Sequence, residues 1–201
     1  MPDWDQSSPR LAANLTRLLE EIHQRAERRE PPAVAMAKAW QIRFLDGLDV
    51  PDPRFVGAFR GESGLENLQV RIGPHFGVAA AKVAEELARF EKTLRALVAE
   101  LDAELPAGQS PDADQLAAIL DLCAWVHAEW VRIHPLPNGN GWIARLWANS
   151  LAMRYGLPPF IGLRPRPGSG YEEASARAMQ GDWEPTAVVF RRFLDELLRN
   201  L

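Results

Sequence analysis

Two apolar stretches with helical period meet at a junction that can continue neither of them: His134-Pro135-Leu136-Pro137-Asn138-Gly139-Asn140-Gly141. Upstream, residues 112–133 read as a helix, unusually apolar and therefore expected to be central and buried. Downstream, residues 142–155 read as another, stopped by Gly156 and Pro158. Two prolines, two glycines and two asparagines between them predict a tight loop with positive φ and close backbone approach. A histidine closes the first helix, and Arg145 stands one turn into the second. Imidazole, exposed backbone N–H groups and the positive end of a helix dipole are thus expected at one point. Those are the parts of a polyphosphate site with a proton acceptor beside it.

The rest of the chain is predominantly helical in pattern. Residues 1–9 read as disordered or extended. Residues 11–29 carry Leu11, Leu15, Leu18, Leu19 and Ile22 on one face, and residues 33–48 place Met36, Ala39, Trp40, Phe44 and Leu45 on a stripe. Glycines then interrupt residues 55–78, where Leu68-Gln69-Val70-Arg71-Ile72 alternates as a half-exposed strand does. Gly73-Pro74 turns that strand toward a partner through Phe76 and Val78. A lone hairpin is marginal, so it is expected to lie against helices. Residues 80–104 form an amphipathic helix with Val83, Leu87, Phe90, Leu94, Leu97 and Leu101 inside; Ser110-Pro111 with Asp112 and Asp114 marks the next helix start. Residues 171–180 and 184–198 read as two closing helices, and Trp147 and Phe160 as core. The expected fold is all-α with one small hairpin.

Charge narrows the function. A formal net charge of −4 and a pI near 5.6 argue against a nucleic-acid surface, and the densest basic cluster, Arg25, Arg28 and Arg29, is interleaved with Glu27 and Glu30 as on a solvated helix face. A single cysteine, Cys123, excludes an internal disulfide and reads as an inert core thiol. No apolar run is long enough for a membrane span, and the first residues are polar with prolines, so no membrane association and a cytoplasmic location are expected. His23, His75 and His127 have no motif around them and read as surface or packing residues.

The segment His134-Pro135-Leu136-Pro137-Asn138-Gly139-Asn140-Gly141-Trp142-Ile143-Ala144-Arg145 resembles the signature of Fic (Fic/Doc) domains, His-Pro-Phe-x-Asp/Glu-Gly-Asn-Gly-Arg-x-x-Arg. The similarity continues through Leu146-Trp147-Ala148-Asn149 and Tyr155-Gly156-Leu157-Pro158-Pro159-Phe160, then weakens toward Tyr171, and spans roughly residues 55–201. It implies a Fic-type helical bundle with the hairpin as a flap beside the active loop. Residues 1–54 would be an N-terminal helical segment and 55–201 the Fic-like domain, the two forming one compact unit.

The implied activity is transfer of AMP, or another nucleoside monophosphate, from a nucleoside triphosphate to a Ser, Thr or Tyr hydroxyl of a target protein. ATP and Mg²⁺ are the implied cofactors, and some relatives move other phosphate-containing groups. His134 would be the general base; Gly139, Asn140 and Gly141 the anion cradle, with the Asn140 amide on the α-phosphate. Arg145 would meet the γ-phosphate or an inhibitory glutamate, and Tyr171 would help line the nucleobase pocket. Asn138 stands where the family uses Asp or Glu to hold Mg²⁺, which predicts weakened metal binding. Trp142 stands where the first arginine belongs, removing a planar fork of donors from the outer phosphates and predicting impaired activity. Thr16-Arg17-Leu18-Leu19-Glu20 is the nearest match to an inhibitory motif, making Glu20 the internal inhibitor candidate. A separate antitoxin-like protein is the other possible inhibitor. A catalytically degenerate Fic fold serving as a protein-binding module is the alternative reading.

Overall fold

The computed structural model describes residues 8–168 and 170–200. The disordered or extended reading of residues 1–7 falls outside them; Ser8 and Pro9 belong to a helix start. The Ser8 hydroxyl accepts from the N–H groups of Arg10 and Leu11, capping α1 (Pro9–Glu27), and proline fills the first helical position where no donor is needed. The order continues α2 (Ala35–Leu45), β1 (Arg71–Ile72), β2 (His75–Phe76), α3 (Val83–Glu104), α4 (Ala113–Ile133), α5 (Asn140–Arg154), α6 (Tyr171–Ala178) and α7 (Glu184–Arg199). The fold is all-α apart from one two-stranded antiparallel ribbon, pairing Arg71 with Phe76 and Ile72 with His75.

Helix α4 is the axis. It packs against α3, α5, α6 and α7, while α1 crosses onto α5 and α2. Its start is a capping box: Asp112 accepts from the Gln115 N–H at 2.8 Å and the Gln115 side chain accepts from the Asp112 N–H at 3.0 Å. The helix therefore begins two residues beyond the Ser110-Pro111 signal. Aromatic side chains knit the centre: Phe90 meets Trp130 and Trp147 edge-on at 5.6 and 6.0 Å, and Trp40 meets Trp147 at 4.7 Å. The N-terminal helices share this core, since Leu11, Leu15, Leu18, Ile22, Trp40 and Phe44 are buried in one cluster with the residues of α3 to α7.

Several details depart from the periodicity. On α2, Ala37 and Gln41 are buried, Ala39 is exposed and Met36 only partly covered. On α3, Val98 occupies the inward position and Leu97 turns out. The strands are two residues each, because the chain leaves the ribbon at Gly77, whose N–H still bonds the Val70 carbonyl at 3.1 Å. Arg25 and Arg28 are solvated as expected, but Arg29 turns inward, donating to the Leu105 carbonyl at 2.7 Å beside Asp102. Cys123, Trp147 and Phe160 are buried as expected, and burial pushes the Cys123 thiol up, keeping it inert. Among the described residues no helix is long and apolar enough to cross a membrane.

Candidate active site

The α4–α5 junction forms the floor of a cleft of about 490 Å³, a size suited to a nucleotide. One wall is the ribbon from Val70 to His75; the other is α6 with Arg166. The lining contains His134, residues 137–141, Arg145 and Tyr171, so the residues that the sequence singled out come together. Arg71, Arg145 and Arg166 against Glu172 make the lining cationic.

His134 ends α4 in the left-handed region, φ 52° and ψ 54°, which swings the chain out of the helix. Its Nδ1 lies 3.2 Å from the Val131 carbonyl. The proton assigned to Nδ1 donates there, leaving the Nε2 lone pair as acceptor. Burial, with the nearby Arg60 charge adding to it, lowers the imidazole pKa to about 4 against the bond to Val131. The ring is thus neutral near pH 7 and ready to accept a proton. Buried Arg60 fixes the turn beneath it, donating from Nε to the His134 carbonyl at 2.7 Å and from Nη2 to the Ile133 carbonyl at 2.9 Å.

The loop is closed by its own amides. Asn140 accepts from the Leu136 N–H at 3.0 Å and donates to the Leu136 carbonyl at 2.7 Å, so its side chain braces the turn instead of reaching into the cleft for a phosphate. Gly139 takes φ 86°, and a Cβ there would stand 2.5 Å from the Phe44 ring. The Gly139 N–H is spent on Asn138 Oδ1 at 2.7 Å. Helix α5 starts two residues earlier than its apolar pattern suggests and has no side-chain cap. Its open first-turn donors are consequently the N–H groups of Asn140, Gly141 and Trp142, one residue along from the expected cradle.

Arg145 is 4% exposed, donating from Nη1 to the Tyr171 hydroxyl and from Nη2 to the Leu163 carbonyl, each at 3.2 Å; its Nε has no partner. Among the described residues it forms no ion pair. A buried guanidinium without a carboxylate is a standing demand for an anion. Tyr171 is buried, and its hydroxyl lies 2.7 Å from His127 Nε2. Burial, followed by the Arg145 charge, lowers His127 to about 3, so the ring is neutral and accepts the Tyr171 proton.

Trp142 is 3% exposed and lies edge-on to Phe44 at 5.2 Å, in the core instead of on the phosphate side. Glu20 is exposed on α1 and takes no part in the Arg145 contacts. The donor set does not fit a resident Mg²⁺ at position 138: Asn138 turns Oδ1 toward Gly139, leaving Nδ2 as its open atom, and the described residues contain no group of three or more His, Cys, Asp or Glu placed to hold a metal.

Sequence reasoning missed His127, His75, Gln41, Arg60 and Arg166. His127 precedes His134 by two helical turns on one face, a spacing that could have flagged it. His75 follows Gly73-Pro74 at the ribbon tip and lines the cleft. For Gln41 and Arg60 there was no local signal, because their partners lie far along the chain.

The Fic/DOC family pattern matches residues 16–152, which includes most of α1, all of α2 and the signature loop. The protein adenylyltransferase Fic of Drosophila persimilis is 31% identical over 143 residues, covering 71% of this chain and 23% of that protein. The enzyme of the same name from Nematostella vectensis is 39% identical over 66 residues, 33% of this chain and 15% of that protein. This chain therefore spans about a quarter of the fly relative's length or less. The crystal structure of a Fic domain containing signaling protein from Bacteroides thetaiotaomicron superposes with a TM-score of 0.59 at 18% identity, over 93% of this chain and 66% of that one, which is a likeness of fold. With the signature loop, the helical architecture and the family match in agreement, the chain belongs to the Fic/DOC family.

Proposed function

We propose that the cleft transfers AMP, or another nucleoside monophosphate, from a nucleoside triphosphate to a Ser, Thr or Tyr hydroxyl of a target protein. The observation that carries this is a neutral imidazole with a free Nε2 lining the same cleft as an unpaired buried guanidinium and an uncapped helix N-terminus. His134 Nε2 takes the hydroxyl proton while that oxygen bonds to the α-phosphorus and the bond to the bridging oxygen breaks; pyrophosphate leaves. The first-turn N–H groups of α5 and Arg145 hold the phosphate oxygens as charge builds on them. ATP is the expected donor substrate, and Mg²⁺ would accompany it as its counterion. The location of this chemistry would be the cytoplasm.

Trp142 makes the enzyme slower. With the indole in the core, no side chain from position 142 reaches the outer phosphates, and loss of such a contact costs roughly 2–5 kcal/mol, about 30- to 5,000-fold in rate or affinity. Restoring arginine there would place a guanidinium against Phe44. Inhibition, where it occurs, would come from a separate antitoxin-like protein offering a carboxylate to Arg145, since Glu20 is exposed elsewhere.

The test is incubation with α-labelled ATP and a target-containing extract, scored as label on protein. His134→Ala should reduce labelling by about 10²-fold or more. A second reading, a binding module working through the ribbon edge, is favoured by the exposure of Phe76 and Arg71 there. It predicts no label and partner capture indifferent to His134→Ala.

A further inference from the structure

We propose that this site grips its polyphosphate directly, through amide and guanidinium donors, and needs no divalent cation to bind it. The inference rests on the transferase reading and concerns how that site recognises its donor substrate. Position 138 decides the matter. Asn138 Oδ1 accepts the Gly139 N–H at 2.7 Å, and the Asn138 carbonyl accepts from Gln41 Nε2 at 3.0 Å. Gln41 is fully buried and clamped in turn, its Oε1 taking the Gly57 N–H at 2.7 Å. Flipping the Asn138 amide would set one N–H against another, so the hydrogen bonds determine which atom is left without a partner. That atom is Nδ2, in a residue 5% exposed that lines the cleft, with no acceptor.

Arg145 Nε repeats the pattern independently from the next helical turn: buried, lining the cleft and without an acceptor. Both open atoms are donors. A hard dication requires lone pairs and is repelled by N–H groups, whereas the oxygens of a polyphosphate are acceptors for both. The uncapped first turn of α5 adds donors of the same sign from the loop between them. A carboxylate at 138 would recruit a cation to bridge it to phosphate; an amide presenting Nδ2 meets the phosphate without an intermediary. The ligand class is a nucleoside polyphosphate taken as the free anion as readily as its metal complex.

Calorimetric titration of the full chain with ATP, once in EDTA and once in excess MgCl₂, tests this without any variant. Wild type should bind ATP in both buffers within about threefold. Asn138→Asp should weaken binding in EDTA by about tenfold or more and recover when Mg²⁺ is added, since two anions then face each other unless a cation intervenes. Wild-type binding that disappears in EDTA and returns with Mg²⁺ overturns the inference and leaves the transferase reading standing. An Asn138→Asp protein indistinguishable from wild type in both buffers overturns it as well. Absence of ATP binding in both buffers removes both.

Discussion

The two sides of the cleft are built on opposite principles. The loop from Pro135 to Asn140 is buried throughout, braced by its own Asn140 and fastened by side chains from two other places: Gln41 on α2, and Arg60 before the ribbon, which holds the His134 carbonyl at the loop's entry. Even the Arg60 N–H is used, donating to the Pro135 carbonyl at 2.7 Å. The ribbon facing it has two residue pairs, a tip at Gly73 with open space around it, and Phe76 at 59% exposure. Groups that must meet a reacting phosphate need fixed positions, while a surface that receives a protein segment gains from adapting to it. Rigidity is concentrated at the proposed phosphate-binding loop, whereas the ribbon rests on the core through half-buried Ile72 and is hydrogen-bonded near its base, by the Val78 N–H to the Ile133 carbonyl at 3.3 Å and by Arg60 Nη1 to the Leu68 carbonyl at 3.3 Å.

The largest expected effect comes from cutting the shared anchor. Arg60→Met leaves the carbonyls of Ile133, His134 and Leu68 without their guanidinium donors, and should cost about 3–5 kcal/mol, measured as a lower urea midpoint, with labelling activity lost as well. Next is a matched pair of glycines. Gly139→Ala combines φ 86° with a collision against the Phe44 ring and should cost about 2–4 kcal/mol. Gly73→Ala has φ 56° but nothing within 4 Å, and should cost only about 1 kcal/mol. Equal costs for the two would erase the distinction between the walls.

The same distinction governs what could be read from the sequence. The loop announced itself because its demands are local: glycine where φ is positive, histidine and proline where a helix must stop. The helices were legible from apolar period, although that period alone could not choose between Leu97 and Val98, which are adjacent and equally apolar. The loop's braces were not legible. Gln41 lies 97 residues from Asn138 and Arg60 lies 74 from His134, and nothing in a polar residue's own neighbourhood says which distant carbonyl it will meet. Asn140 was read as a phosphate donor because its residue type suits that role; folding spends its amide on Leu136. Trp142 was placed on the phosphate side by its rank in the motif, whereas the helix turns it toward Phe44. Tyr171 lies beyond the matched family segment, which ends at residue 152, so its tie to His127 rested on α6 finding α4.

That tie gives a pH test of the rigid side. His127 has an ordinary pKa of 6.5 but is lowered to about 3 in the folded chain, by burial and then by Arg145. Between those values the unfolded chain binds a proton that the folded chain does not. Stability should therefore be flat above about pH 6.5 and fall as the pH drops below it, by about 2 kcal/mol per such histidine between pH 7 and 5. His134 shifts in the same direction, so the comparison that isolates His127 is wild type against His127→Gln, which keeps an acceptor for Tyr171 and cannot titrate. The variant should lose about 2 kcal/mol less over that interval in denaturant titrations.

The smallest effect on folding is expected at the ribbon, and its smallness is what the contrast requires. The Phe76 ring has Arg71 5.9 Å from its centre and is otherwise largely in solvent, so Phe76→Ala should change stability by no more than about 0.5 kcal/mol. ATP affinity should be unchanged, because the donors proposed to hold phosphate lie on the braced loop and on Arg145. If a target segment lies along this edge, the loss should appear only in its recognition: KM for the protein substrate rises several-fold, of order 1 kcal/mol, while kcat holds. A fall in ATP affinity, or a stability loss well above 1 kcal/mol, would mean that the ribbon is mechanically continuous with the loop. The cleft would then have one rigid frame instead of a fixed side and an adaptable one.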